Sequence, residues 1–120
     1  MKASVGAAIL LAVLLLLVGV NAWYIDQVTD DLGELLRALP SVPEAGTVEK
    51  IEAFRETFDR HEKYLRITVN YLLVDKIKEL TETLLCYAEA GMAGDYQTTR
   101  ALLLDAVEDV GRLERLWNDL

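Results

Sequence analysis

From Ala3 to Val20 the chain carries no charged side chain and a single polar one, Ser4. A helix needs about that much apolar sequence to cross a hydrocarbon core ~30 Å thick at ~1.5 Å per residue. Beyond this run the pattern turns periodic. Val28, Leu32, Leu35, Leu36 and Leu39 recur at helical spacing, with Asp30, Asp31, Glu34 and Arg37 on the opposite side. The spacing predicts a helix that continues out of the apolar run and stops before Pro40. Pro40 to Gly46 holds two prolines and a glycine and predicts a loop. Thr47 is placed to cap the next helix, with Glu49 favourable in its first turn.

From Val48 to Ala90 there is neither glycine nor proline. Ile51, Phe54, Phe58, His61 and Leu65 form one stripe, which Val69, Leu73, Ile77, Leu80, Leu84 and Tyr87 continue. The steps alternate threes and fours until two successive fours, 65 to 69 and 69 to 73, shift the phase. The same stretch, Tyr64 to Val74, is rich in β-branched and aromatic residues, which are weaker helix formers. A kink or break is expected near Ile67 to Asn70. The shift also gives this helix two apolar faces, one through Tyr64, Thr68 and Leu72, the other through Val69, Leu73 and Ile77.

Gly91-Met92-Ala93-Gly94 predicts a second loop, and Asp95 a cap for the last helix. That helix has the cleanest stripe: Thr99, Leu103, Ala106, Val110, Leu113, Trp117 and Leu120. Its outer face carries Arg100, Asp105, Glu108, Asp109, Arg112 and Glu114. No stretch alternates with period two. The expected fold is all-α: a transmembrane helix over residues 1–24, then a small antiparallel bundle of about three soluble helices over residues 25–120.

Length makes a further demand. A helix over 24–39 standing on a membrane rises roughly 24 Å, whereas one of over forty residues running straight back would span roughly 65 Å and strike the lipid. Either the long helix bends, the bundle leans over, or the lead is cleaved. Bending near Val69 is the least costly under the anchor reading.

Two readings of the lead compete. As an anchor, it has Lys2 on the inner side and Asp26, Asp30 and Asp31 just outside, which puts the N-terminus in the cytoplasm and the C-terminal domain outside. Trp23 and Tyr24 fall where aromatic rings favour the water boundary. As a signal peptide, it ends in Val20-Asn21-Ala22, a fair cleavage pattern that would release a secreted domain after Ala22. The run exceeds the ~7–15 residues of a usual signal core and has one Lys before it, which favours a retained single span. Both readings export the domain.

The 120 residues carry a formal net charge of -8, and every Asp and Glu lies at or beyond Asp26. So acidic a domain does not suit nucleic acid, whose phosphates need a Lys/Arg surface. Cys86 is the sole cysteine, so no internal disulfide and no zinc site built on cysteine pairs can form. On an apolar helical face it reads as a small buried side chain, with pairing to another chain as the alternative for an exported protein. No cysteine follows the apolar run to take a lipid.

His61-Glu62 begins like the zinc-protease pattern HExxH, but Leu65 stands where the second ligand belongs, and the chain has one histidine. His61 on the apolar stripe reads as a hydrogen-bonded core or boundary residue. The carboxylates Asp30, Asp31, Glu34, Glu49, Glu52, Glu56, Asp105, Glu108 and Asp109 read as solvated faces. No phosphate loop, dinucleotide fingerprint, nucleophile elbow or calcium-loop spacing appears. Phe54, Phe58, Tyr64, Tyr71, Tyr87, Tyr96 and Trp117, at helical spacing, read as core, with a ligand pocket as the alternative.

Over Asn70 to Tyr87 the chain resembles a family of small bacterial proteins defined as a domain of unknown function. Asp75, Ile77, Leu84 and Tyr87 fit its Asp-x-Ile and Leu-x-x-Tyr pattern, while Tyr71 stands where that pattern has a histidine. Phe58 stands where it has a tryptophan, and the loop from Gly91 to Asp95 is longer. The resemblance implies an N-terminal membrane helix and an acidic helical extracytoplasmic domain, with no activity or cofactor. The resulting expectation is a non-enzymatic module of the bacterial envelope that associates with itself or another envelope protein through apolar helix faces. The alternative is a small-molecule sensor or carrier domain.

Overall fold

The structure is a computed structural model that describes residues 2–119, with side chains described through Arg112. It is all-helical among those residues, with four helices: α1 Lys2–Arg37, α2 Thr47–Thr68, α3 Tyr71–Ala90 and α4 Ala93–Asp119. Its extents are 69 × 23 × 21 Å, the long axis set by the apolar half of α1 projecting beyond the bundle. Residues 2–20 are exposed throughout, whereas Ala22, Ile25, Val28, Leu32 and Leu36 are buried against other helices. By length and composition, α1 is also the one helix among the described residues able to cross a membrane.

The expected break between residues 67 and 70 is complete. Val69 is extended at φ -122° and ψ 166°, and Asn70 caps α3 by accepting a hydrogen bond from the Leu72 amide at 2.9 Å. Ile67, Thr68 and Val69 are β-branched and lose rotamer freedom in a helix, while Asn is among the strongest caps, so the chain reverses here. The long middle helix thus becomes a hairpin, and the bundle has four members rather than three. Each helix packs on its neighbour in sequence and α1 packs on α4, while among the described residues the backbones of the diagonal pairs stay farther apart. This is an antiparallel up-down-up-down arrangement.

The core runs down the middle through Leu36, Ile51, Phe54, Phe58, Ile77, Leu84, Tyr96 and Leu103. In α4 the expected Thr99, Leu103, Ala106 and Val110 are buried, joined by Tyr96 and Val107. Leu113, Glu114, Trp117 and Leu120 lie outside the described side chains. In α3 the buried face is Val74, Ile77, Thr81, Leu84, Leu85 and Ala88; Leu73, Leu80 and Tyr87 pack at its margin. One expectation is corrected here. Cys86 is exposed, because it falls on the outer side of α3 with Asp75, Glu79 and Glu82.

Two caps also differ from expectation. Gly46, left-handed at φ 88°, precedes α2, and Thr47 reaches backward to accept from the Glu44 amide at 2.9 Å. Thr47 therefore fastens the loop. The helix α4 starts at Ala93, two residues before Asp95, which places that carboxylate in the first turn near the helix dipole. Gly91, at φ 70°, ends α3 with the Met92 amide bonded to the Tyr87 carbonyl at 3.0 Å, a Schellman turn that only two residues fill.

Candidate functional site at the base of the bundle

Polar and aromatic groups converge where the bundle meets the apolar half of α1. The Tyr64 hydroxyl donates to Oδ1 of Asn21. The Tyr24 hydroxyl is hydrogen-bonded to Nδ1 of His61, the ring tautomer deciding which group donates. The Tyr24 ring meets His61 edge-on at 5.5 Å between centroids and Tyr64 at 4.6 Å. The four side chains lie on two helical turns of α1 and α2 facing each other. His61 is half-buried and hydrogen-bonded, as its place on the stripe suggested.

Ion pairs stitch α2 to α3 above the turn. Arg66 bonds Asp75 at 2.6 Å and Glu62 at 2.9 Å, Lys78 bonds Glu62 at 2.9 Å, and Arg55 bonds Glu82 at 3.0 Å. The Lys78 hydrogen bond, seconded by Arg66, holds the Glu62 carboxyl below the ordinary carboxylate range. A groove beside these pairs is lined by Arg55, Phe58, Asp59, Glu62, Lys78, Thr81 and Glu82. In it the Thr81 hydroxyl donates to the Ile77 carbonyl of its own helix at 2.7 Å.

A second groove, between α1 and α2, brings His61 near Asp31, Glu34, Thr57 and Arg60. Its hydroxyl is also taken, since Thr57 donates to the Ala53 carbonyl at 2.9 Å. The sole histidine and the sole cysteine are not brought together: Cys86 is on α3, facing solvent, and His61 faces α1. Among the described residues, no group of three or more His, Cys, Asp or Glu side chains is disposed to hold a metal ion.

Of the aromatic candidates, Phe54, Phe58 and Tyr96 fill the core, Tyr87 is half-buried, and Tyr64 and Tyr71 are exposed. The Tyr96 hydroxyl donates to the Pro40 carbonyl at 2.9 Å, and burial raises its pKa above the ordinary phenol value. Of the carboxylates, Asp26, Glu62 and Asp109 are half-buried, while Asp30, Asp31, Glu34, Glu49, Glu52, Glu56, Asp105 and Glu108 are exposed. The base cluster escaped sequence reasoning because its partners lie 37 and 43 residues apart. Compared with protein-family models, curated proteins and solved structures, the chain finds no match.

Proposed function

We propose that this chain is a non-enzymatic, membrane-anchored module of the bacterial cell envelope. Its N-terminus lies in the cytoplasm and its acidic bundle outside, and it works by association with a second copy or another envelope protein. The observation that carries the reading is α1 itself. One unbroken helix is wholly exposed and apolar over its first half and buried in the bundle over its second. In water such a segment would be a severe aggregation liability; in a bilayer it is an anchor.

Retention of the lead is supported by contacts that the two residues just before the cleavage point make with the bundle. Asn21 holds Tyr64, and Ala22 is buried in the bundle, so removing residues 1–22 would strip both from the folded domain. Among the described side chains the buried faces of the four helices cover one another, which leaves the charged outer faces, the apolar half of α1 and the apolar residues at the α2–α3 turn as surface. The grooves described above are open and largely charged, and this suits protein contact better than a carrier of apolar small molecules.

The test uses Cys86, which is native, single and exposed. In intact cells a membrane-impermeant maleimide labels it if the bundle faces outward. Chemical crosslinking of the same membranes, followed by mass measurement, then reports the assembly. Labelling only after lysis overturns the orientation; a strict monomer with no retained partner overturns the association.

A further inference from the structure

The large apolar side chains that the bundle leaves exposed are concentrated at one end. Among the described residues beyond the apolar half of α1, Ile67 is 84% exposed, Trp23 64%, Leu72 61% and Tyr71 59%, and all four lie at the base. Tyr64 joins them at 37%. The remaining three, Leu102, Met92 and Val42, are each less than half exposed, and two of them lie in the connections at the far end.

Depth follows from register. The Tyr24–His61 and Asn21–Tyr64 contacts pair α1 and α2 antiparallel, so each step along α2 is level with one step back along α1. Ile67, three residues past Tyr64, therefore lies ~4.5 Å beyond Asn21 at ~1.5 Å per residue. That is level with Val18, inside the apolar run. Tyr71 and Leu72 follow directly across the two-residue turn.

We infer that the α2–α3 turn is a second membrane contact, with Ile67, Tyr71 and Leu72 seated in the headgroup–acyl boundary of the bilayer that α1 crosses. The inference rests on the anchored reading of α1. At the depth of Val18 the medium around the turn is the lipid that surrounds the span, which identifies the occupant of this apolar tip. Tyr64 and Trp23, a turn higher, sit where amphipathic rings favour the interface. Lys63, Arg66 and Lys76 surround the tip against Glu62 and Asp75, a local balance of +1 in a chain of net charge -8. Their long stems can run along lipid while the charges stay at headgroup level. The backbone is prepared for a poorly hydrated layer as well. The Val69 amide bonds the Leu65 carbonyl at 2.8 Å, and the Leu72 amide bonds the Asn70 side chain at 2.9 Å.

The experiment is depth quenching of the full chain in vesicles of phosphatidylethanolamine and phosphatidylglycerol. A Cys86→Ser background carries one fluorophore at a time through Ile67→Cys, Leu72→Cys, Leu102→Cys or Leu11→Cys. Positions 67 and 72 are exposed, so the two probes report independently if one perturbs the turn. Both should be quenched by lipids bearing a shallow nitroxide, with iodide quenching constants several-fold lower than at 102. If both are quenched by iodide as readily as the probe at 102 while the probe at 11 is lipid-quenched, the span stands and the second contact is overturned. Shielding from iodide without lipid quenching, which signals a protein cover, overturns it as well. A probe at 11 with no lipid quenching removes the anchor, and the inference falls with it.

Discussion

Arg66 and Asp75 meet at 2.6 Å across the α2–α3 turn, and the same guanidinium holds Glu62 at 2.9 Å. The pairing joins the last turn of one helix to the first turns of the next, so it fixes how closely the hairpin folds back. Glu62 also takes Lys78, which makes it the hub of the cluster.

That hub predicts an acid response. The folded carboxyl titrates below its unfolded value, ordinarily ~4.3, so its contribution is fully present above that value and is lost as pH falls through the lower folded one. Thermal unfolding of the detergent-solubilised chain should show Glu62→Gln melting below wild type at neutral pH. The two curves should converge as pH falls beneath the usual carboxylate range.

Asn70 turns a break into a reversal. Asn70→Ala removes the cap on the Leu72 amide and should cost ~1 kcal/mol, while Asn70→Gly should cost only a few tenths. Denaturant midpoints for the two variants decide the matter; no loss in the alanine variant would mean that the side chain contributes nothing as a cap.

At the other end, Tyr96 joins α4 to the loop after α1 through the Pro40 carbonyl. Tyr96→Phe leaves that carbonyl without its protein donor and should cost ~0.5–1.5 kcal/mol. Because burial raises the phenol's folded pKa, its contribution holds below the unfolded value of ~10 and is lost as pH rises toward the folded one. Alkaline melting curves of wild type should therefore fall more steeply than those of Tyr96→Phe.

Core and surface should respond very differently. Phe54 is fully buried, and Phe54→Ala should cost ~3–5 kcal/mol. Leu102 is 49% exposed on α4, and Leu102→Ala should stay within ~0.5 kcal/mol of wild type. Urea denaturation followed by helical circular dichroism compares them.

Cys86 should react with a small maleimide in the folded protein at nearly the rate seen in denaturant, since it faces solvent. A slow native rate that rises sharply on unfolding would mean that α3 buries this position.

Much of this architecture can be read from periodicity. Thr99, Leu103, Ala106 and Val110 are buried as their spacing requires, because a single uninterrupted helix keeps one phase. Val28, Leu32, Leu36 and Leu39 are buried for the same reason. The break near Val69 was visible in the double step of four and the β-branched run, but its extent was not. Whether such a run kinks or reverses depends on Asn70 capping a new helix and on where that helix finds a partner. Cys86 was misplaced because it was read as lying on an apolar helical face, whereas it sits off the stripe with Asp75, Glu79 and Glu82 on the outer side of α3. The base contacts were invisible for a different reason: Asn21 and Tyr64 sit on separate helices, and nothing local in either segment points to the other.

Since α1 runs from Lys2 to Arg37 without interruption, the anchored reading proposed above leaves no swivel between lipid and bundle. On that reading the bundle is a stiff pointer whose direction is the direction of the span. Leaning the span by ~10° to suit a thinner bilayer would swing the Pro40–Gly46 loop by about 5 Å. Whatever meets that loop would read the thickness of the membrane beneath it.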